Sequence, residues 1–314
     1  VGGQQAVKPL RNDDRFLALI GPACSDVAQA VLPVVRRNNW LLISPASTAP
    51  TLTAAQSGVA FFRTVPNHLH QAEVAAHFAY EQLGARHTAV FLDETEYNSL
   101  LAQAFGSTFS QLGGTVVYQG SLAVGQIEVA PLLAEAASRS PDVIFLALFE
   151  PEASLMINRL AELAPLNRAV LLGGDTLHQP DFASRLENIA AKIFVTGPVL
   201  AGEPYDAFRA AWESRYEDLA APVAAAYAYD ATHLLLTAIE DAATIGQSGS
   251  LLIGRSDLRS RLVATDGWAG ATGMLRCGTN GECAAAGYGL YELNTAEGST
   301  TSWPPPLIWQ YKEN

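Results

Sequence analysis

Hydroxyl-bearing residues in two loops near the start of the chain are the first candidates for chemistry. An apolar strand at 16–20 runs into a loop with Cys24 and Ser25, and a second strand ends in a loop with Ser47 and Thr48. In an open parallel α/β sheet the carboxyl ends of neighbouring strands face one crevice, where the first turn of a helix offers N–H groups to an anion. The two loops therefore predict a site for a small carboxylate.

The segment between the two strands predicts a helix that positions the first loop. Ser25 is a favourable N-cap residue and Asp26 suits the first turn, while Arg36 and Arg37 suit the last turn. The apolar residues between them recur at helical spacing. Ser25 thus has two interpretations, a ligand-binding hydroxyl or a helix cap alone.

Composition limits the class of protein. The chain has 314 residues, of which 49% are hydrophobic and 16% charged, so it is long enough for two domains or lobes with sizeable cores. No apolar run approaches the roughly 18 residues of a membrane span. The formal net charge is −12 and the 19 Lys and Arg residues are scattered, which argues against a nucleic-acid partner.

Two of the three cysteines flank a predicted turn. Cys277 and Cys283 lie on either side of Asn280 and Gly281, a strong hairpin-turn signal, so we expect a disulfide across this hairpin. Such a bond indicates an oxidising compartment. A zinc site is the alternative, although two cysteines supply only half of a tetrahedral shell. Cys24 is left over, either as a buried thiol or as a cysteine whose partner is missing.

Strand-like apolar runs alternate with amphipathic helical stretches through most of the chain. This pattern predicts parallel βαβ units and an α/β fold. Beyond the second strand, the predicted strands lie at 61–64, 88–92, 116–118, 143–148, 170–173 and 193–196, and the predicted helices at 71–83, 98–112, 129–138, 152–164, 205–216, 224–241 and 258–264.

Sequence signatures of catalysis and of cofactor binding are missing. There is no Gly-x-Ser-x-Gly elbow, no His-Glu-x-x-His, no phosphate-binding loop and no dinucleotide-binding glycine pattern. His68 and His70 are two residues apart, but no Cys, Asp or Glu at ligand spacing completes a metal site. We therefore expect a binding protein without a metal or cofactor rather than an enzyme.

Several short segments, taken in order, resemble one protein family. They are Leu19-Ile20-Gly21-Pro22-x-x-Ser25, the run from Leu42 to Thr53, Phe62-Arg63-Thr64, Glu150-Pro151-Glu152, Tyr229-Asp230-Ala231 and Gly287-Tyr288-Gly289-Leu290-Tyr291-Glu292. Their order and spacing are similar to those of the type I periplasmic solute-binding proteins of the leucine/isoleucine/valine-binding family. The resemblance covers nearly the whole chain, and it depends on the combination rather than on any one segment.

The resemblance implies two Rossmann-like lobes joined by a three-strand hinge. The first lobe would comprise 1–65 and 199–285, the second 66–198 and 286–314, with crossovers near 65–67, 196–199 and 284–286. It also implies that the first lobe lacks its opening strand–helix–strand segment. In branched-chain members, that segment carries a cysteine that forms a disulfide with the cysteine at the position of Cys24.

The resemblance also assigns ligand contacts in the first lobe. Ser25, Ala46 and Thr48 match the positions that hold the α-carboxylate and part of the ammonium group of an amino acid. Cys24 and Ser47 adjoin them and are included in the expected site.

In the second lobe, Asp175 matches the acid that meets the ligand ammonium, and Tyr97 matches an aromatic that closes over the ligand. Their alternative interpretations are a turn aspartate or helix cap and an ordinary half-buried tyrosine. Phe149 replaces a tyrosine of branched-chain binders, and Glu150 departs from the pattern too, which leaves side-chain specificity open. Tyr229 is a weaker candidate, because an aromatic at that point of a helix is often only core.

We therefore expect a monomeric, extracytoplasmic solute-binding protein of an ABC uptake transporter. It would capture a branched-chain or similar amino acid by hinge closure and present it to the membrane permease. Its location would be periplasmic or extracellular, either free or held by a lipid anchor. Two alternatives stay open: a ligand-sensing domain of a receptor or regulator, and a binder of another small carboxylate such as an aromatic acid.

Overall fold

The computed structural model describes residues 2–54, 59–179, 181–186, 189, 191–217, 219–284, 287–293 and 305–311. The chain divides into two compact units. Unit 1 comprises Val1–Asn67 and Leu200–Gly287, and unit 2 comprises His68–Val199 and Tyr288–Asn314. The hinge role of the three crossovers stays a prediction, and Ala285 and Ala286 of the third lie outside the described residues.

The helices and strands alternate over most of the chain. The helices are α1 (Gly2–Val7), α2 (Ser25–Arg37), α3 (His68–His77), α4 (Glu96–Gln111), α5 (Ala130–Ser138), α6 (Glu152–Ala161), α7 (Glu203–Arg215), α8 (Val223–Ala242) and α9 (Arg255–Val263). The strands are β1 (Ala18–Ile20), β2 (Leu41–Ser44), β3 (Phe61–Arg63), β4 (His87–Asp93), β5 (Thr115–Leu122), β6 (Val143–Ala147), β7 (Val170–Gly173), β8 (Ile193–Pro198), β9 (Ala243–Ile245), β10 (Leu251–Ile253), β11 (Asp266–Gly270), β12 (Gly273–Arg276), β13 (Tyr288–Leu293) and β14 (Leu307–Gln310).

Unit 1 is built on a parallel sheet in the order β1-β2-β3. Helix α8 packs on this sheet, so that Leu234 and Leu235 share a buried cluster with Leu41 and Ile43 of β2. Burying apolar side chains between the layers is the main stabilising contribution to the unit. The small antiparallel pairs β9–β10 and β11–β12 complete it.

Unit 2 contains a seven-stranded sheet in the order β14-β13-β8-β7-β6-β4-β5. The strands from β8 to β5 run parallel, while β13 is antiparallel to both of its neighbours. All five residues of β6 are buried, because helices cover both faces of the sheet. Ile144 belongs to the core on one face and Phe145 to the core on the other. The predicted α/β class is confirmed.

Some predicted boundaries were wrong for identifiable reasons. Helix α3 begins at His68 rather than at 71, because the buried residues of its first turns include the polar His68 and Gln71, which hide the apolar period. It ends at His77 and continues as a π-helical turn over Phe78–Gln82. Strand β5 spans eight residues instead of three, because most of its residues retain solvent exposure and its apolar signal fades beyond Tyr118.

The predicted disulfide between Cys277 and Cys283 is confirmed. The turn is present as well, closed by a hydrogen bond from Gly278 N–H to Glu282 O at 2.8 Å. The turn does not join two paired strands, however. Instead, Glu282 forms a single parallel bridge with Arg63 at the end of β3.

Among the described residues, no helix combines the length and the apolar composition that crossing a bilayer requires.

Candidate functional site

In unit 1, the loop 21–24 connects the end of β1 to the N-terminus of α2. Ser25 is the first residue of the helix, and the N-cap is Cys24, so the prediction of Ser25 as the N-cap was wrong. The first intrahelical hydrogen bond runs from Ala28 N–H to Cys24 O at 3.1 Å. The amides of Ser25, Asp26 and Val27 therefore have no acceptor within the helix, which is the usual property of an anion-binding helix end.

Buried hydroxyl groups shape the loop that follows β2. Ser44 Oγ donates to Pro22 O at 2.7 Å and accepts the N–H groups of Ala46 at 3.2 Å and Ser47 at 2.8 Å. Ser47 Oγ donates to the same Pro22 carbonyl at 2.9 Å. These bonds join the loops that follow β1 and β2. The hydroxyl of Ser47, which we expected at the ligand, lies fully buried within this connection.

One further hydrogen bond brings Ser25 next to the second loop. Ala49 N–H donates to Ser25 Oγ at 3.2 Å. The Ser25 hydroxyl is therefore an acceptor towards Ala49 and keeps its hydrogen for another acceptor. This bond explains the wrong prediction at Ser25, because the side chain contacts a distant loop instead of capping its own helix. We call Ser25, Ser44, Ser47 and Thr48 the hydroxyl cluster.

Thr48 and Ala46 differ in what they expose. The side chain of Thr48 is almost fully buried beside Ala49, whereas Ala46 is half-buried. Because the Ala46 N–H is directed to Ser44, the group that Ala46 has to offer is its carbonyl oxygen, a partner for a cation rather than for a carboxylate.

In unit 2, the polar side chains of Asp175, Tyr97 and Gln71 converge near the ends of parallel strands. Tyr97 Oη donates to Asp175 Oδ1 at 2.7 Å, and Gln71 Nε2 donates to the same oxygen at 2.9 Å. Gln71 Nε2 also donates to Thr196 Oγ1 at 2.8 Å, and Gln71 is fully buried. We call Asp175, Tyr97 and Gln71 the acidic cluster. The structure thus brings two predicted residues together through a third that the sequence did not indicate.

The environment of Asp175 controls its ionisation. Burial raises the pKa of this carboxyl above its ordinary value, while the hydrogen bonds from Tyr97 and Gln71 act in the opposite direction. The Asp175 side chain still has partial contact with solvent. The neutral donors Tyr97 and Gln71 compensate the negative charge of the carboxylate only in part, so this group can still attract a cation.

Asp93 fixes the two aromatic residues beside the acidic cluster. Its carboxylate accepts Asn98 Nδ2 at 2.7 Å in the first turn of α4 and Phe149 N–H at 3.1 Å after β6. It also accepts the N–H of Thr95, the N-cap of α4, at 3.0 Å. As a result the rings of Tyr97 and Phe149 lie 5.8 Å apart between centroids, with Phe149 41% exposed.

Two other predicted residues, Cys24 and Tyr229, belong to neither cluster. Cys24 is exposed and its thiol is not in a disulfide. Tyr229 on α8 is 44% exposed and packs on Phe208 at 5.3 Å and on His233 at 4.2 Å, so it is not the core residue that its alternative interpretation assumed.

His68 and His70, weighed above as metal ligands, lie in the first turn of α3. The ring of His68 packs edge-on against Tyr97 at 5.4 Å, and His70 packs near Tyr288 at 6.4 Å. Within the part of the chain that the structure describes, no three His, Cys, Asp or Glu side chains come close enough together to hold a metal ion.

The chain is similar to known proteins over most of its length. The model of the family described as "Periplasmic binding protein" matches residues 1–298. A Leu/Ile/Val-binding protein of Rhizobium johnstonii is 27% identical over 292 residues, which are 93% of this chain and 76% of that protein. The resemblance predicted from the sequence segments is confirmed.

Solved structures share the fold. A leucine-binding protein from Thermotoga maritima is similar with a TM-score of 0.79 and 24% identity, covering 95% of this chain and 81% of its own. A solute-binding protein from R. palustris, solved in complex with benzoate, is similar with a TM-score of 0.75 and 21% identity, covering 98% of this chain and 82% of its own. At these identities the likeness concerns the fold alone.

Proposed function

Because this chain belongs to the periplasmic binding protein family, we propose that it is the extracytoplasmic solute-binding protein of an ABC uptake transporter for a branched-chain or similar amino acid. Its relatives are solute-binding proteins rather than enzymes. Their family implies a periplasmic location and a membrane permease as the partner.

The hydrogen bond between Ala49 N–H and Ser25 Oγ carries the proposal. It joins the N-terminus of α2 to the loop after β2, so that a hydroxyl hydrogen, helix amides and the neighbouring Thr48 serve one small anion. Hydrogen bonds to a charged group contribute about 1.5–3 kcal/mol each, so three or four of them approach the roughly 8 kcal/mol of a micromolar ligand before ordering costs. The carboxylate of the amino acid would bind here.

The acidic cluster would bind the other end of the same molecule. Asp175 supplies a carboxylate for the ammonium group, and Tyr97 and Phe149 supply aromatic surface for the side chain. Since each unit meets only one end of a zwitterion, the ligand gains its full set of contacts when both units engage it. A ligand that binds one arrangement of the lobes more tightly shifts the population towards it, which is the basis of the proposed hinge closure.

A carboxylate without an ammonium group is the second candidate, and one observation favours it. Asp175 already has Tyr97 and Gln71 on one oxygen, and burial raises its pKa, so the group can serve as a neutral partner. The relative crystallised with benzoate shows that this fold accommodates an aromatic acid in that protein.

Calorimetry with matched ligands tests the proposal. L-leucine should bind, 4-methylpentanoate, which lacks the amine, should bind more weakly, and 3-methylbutylamine, which lacks the carboxylate, should not bind. If 4-methylpentanoate or benzoate binds more tightly than any branched-chain amino acid, the second candidate replaces the first. Binding of none of these molecules by the folded protein would contradict both.

Thr48→Ala should weaken L-leucine binding by about 1–3 kcal/mol, because a carboxylate oxygen loses its partner. Asp175→Asn should weaken L-leucine binding but leave 4-methylpentanoate unchanged. Thr244→Ala on the exposed strand β9 is a matched control that should bind like the unmodified protein. Unchanged affinity in Thr48→Ala and Asp175→Asn would show that the ligand binds elsewhere.

A further inference from the structure

Arg63, at the end of β3, is the most completely engaged cation of unit 1. Its side chain is fully buried. Nε donates to Glu282 Oε2 at 2.7 Å, and one terminal nitrogen donates to Glu282 Oε1 and to Thr53 Oγ1, the latter at 3.0 Å. The other terminal nitrogen donates to Ala49 O at 2.9 Å and Ser47 O at 3.3 Å. A guanidinium has five N–H donors, and all five are accounted for.

This complete engagement separates Arg63 from the ligand. A cation near an anion site is usually read as a direct contact, but Arg63 has no donor left for a carboxylate. Its charge is also balanced by Glu282, whose side chain is only 25% exposed. Burial alone would raise the pKa of Glu282. The hydrogen bond and the positive charge of Arg63, together with the hydrogen bond from Thr53, lower that pKa below the ordinary value. The pair is therefore ionised at neutral pH.

The two carbonyls that Arg63 binds flank Thr48. The peptide between Ser47 and Thr48 is trans, because the cis peptides of the described chain lie at Pro22, Pro151 and Pro165. In a planar trans peptide the C=O and N–H groups point in opposite directions. Since Ser47 O faces the guanidinium, the N–H of Thr48 points away from it. Arg63 thus fixes the direction of a backbone donor in the hydroxyl cluster.

The same contacts reach Ser25. Ala49 O is held by Arg63, while Ala49 N–H is the donor to Ser25 Oγ. Arg63 therefore holds the Ser47–Thr48 and Ala49–Pro50 peptides, and between them lies the Thr48–Ala49 peptide, whose N–H contacts Ser25. A shift of Arg63 would disturb the contact that joins the two loops.

The disulfide-closed turn carries the counter-ion. Glu282 lies between Cys277 and Cys283, and this turn runs alongside β3 through Arg63 N–H to Gly281 O at 3.0 Å and Cys283 N–H to Arg63 O at 2.9 Å. Only glycine permits that approach at position 281, since a Cβ there would lie 2.0 Å from Phe61 O. The φ of Gly281 is also +88°, a conformation that favours glycine. The position of Glu282 is therefore set by the turn, independently of the loop that Arg63 holds.

We propose that Arg63 and Glu282 are positioning residues of the ligand site, with the turn at 277–283 anchoring the pair that orients the backbone around Thr48. This inference rests on the proposed function for the identity of the site. It assigns to Phe62-Arg63-Thr64 a role that the family resemblance left unexplained. It also predicts that ligand affinity depends on a residue that never touches the ligand.

Glu282→Gln tests the inference, because it preserves shape and removes the charge that balances Arg63. Amide hydrogen exchange at 46–49 should become faster, and calorimetry should show about tenfold weaker binding of L-leucine. Thr272→Val is the matched control. It removes a buried hydroxyl that donates to Asp230 elsewhere in unit 1, so it should lower the melting temperature without either effect.

A second variant covers the case in which Glu282→Gln does not fold. Thr53→Val leaves the direct Arg63–Glu282 bonds in place and removes the hydroxyl that hydrogen-bonds to both residues, so it should change exchange and affinity in the same direction by less. Unchanged exchange at 46–49, or faster exchange with unchanged affinity, overturns the positioning role. If the unmodified protein binds neither L-leucine nor benzoate, the proposed function fails, and the exchange of these amides alone decides the inference.

Discussion

At the scale of single residues, two titratable groups, the half-buried Asp175 and the buried His178, make pH a useful variable. Asp175 belongs to the acidic cluster and His178 follows it by three positions, yet burial moves their pKa values in opposite directions. Burial disfavours the charged form of each, which is the carboxylate for Asp175 and the imidazolium for His178. The two groups therefore have separable effects, one on ligand binding and one on stability.

Asp175 should make the affinity for amine-bearing ligands rise with pH. In the free protein its raised pKa keeps a fraction of the carboxyl protonated, and an ammonium group favours the ionised form, so binding releases protons. Affinity for L-leucine should increase as pH rises from the ordinary carboxylic range to above the raised value and then level off. Calorimetry in buffers of different ionisation enthalpy should detect proton release with L-leucine but not with 4-methylpentanoate. Equal proton release with both would remove Asp175 from the ammonium contact.

His178 should make the protein less stable in mild acid. The pKa of this buried ring, which packs on Tyr291 at 4.4 Å, is lowered from 6.5 to about 4. The unfolded chain therefore takes up the proton first, so stability is complete above pH 6.5 and falls as pH drops towards 4. Between pH 7 and pH 5 the loss should be about 2 kcal/mol in urea unfolding.

His178→Phe keeps an aromatic ring and should remove most of that pH dependence, whereas His87→Asn at an exposed position should not. A similar slope in both variants would contradict the assignment.

The residues proposed to bind the ligand could be predicted from sequence better than the residues proposed to position them. Ser25, Thr48 and Asp175 follow from strand-end loops and from the family resemblance. Gln71 and Glu282 were missed because their partners are remote: Gln71 reaches Asp175 across 104 positions, and Glu282 reaches Arg63 across 219. No local spacing indicates such pairs, although a polar residue at helical spacing from Val74 and Ala75, such as Gln71, is a signal that could have found it.

At the scale of elements, the sequence predicted the order of strands and helices as far as β8 and the helices α7 to α9. It did not predict the strands β9 to β14, nor how polar side chains are shared between elements. The strand at 143–148 was predictable because a fully buried parallel strand is continuously apolar. The start of α2 was not, since the choice between Ser25 as a cap and Ser25 as a tertiary partner depends on Ala49, in a loop that the local sequence cannot place.

The turn at 277–283 should affect binding as well as stability. The disulfide closes a short loop, with a sequence separation of 6, so its removal should cost about 2 kcal/mol of unfolding free energy. Cys277→Ala combined with Cys283→Ala should nevertheless weaken L-leucine binding, because Glu282 loses its fixed position. Paired measurements of melting temperature and Kd would separate the effects, and an unchanged Kd would show that hydrogen bonds alone hold the turn.

At the scale of the whole molecule, the proposed function requires the two units to respond together. If both ends of one ligand are bound by different units, saturating L-leucine should reduce the radius of gyration in small-angle scattering. Asp175→Asn should reduce the change, because one end of the ligand then binds more weakly. A radius that does not depend on ligand would argue for a rigid binder.

The exposed thiol of Cys24 offers a practical use for this arrangement. It immediately precedes Ser25, and the other two cysteines are joined to each other. An environment-sensitive fluorophore coupled through maleimide chemistry would therefore attach at a single, known point beside the hydroxyl cluster. The labelled chain would act as an optical reporter for nutrients in solution, read by emission intensity.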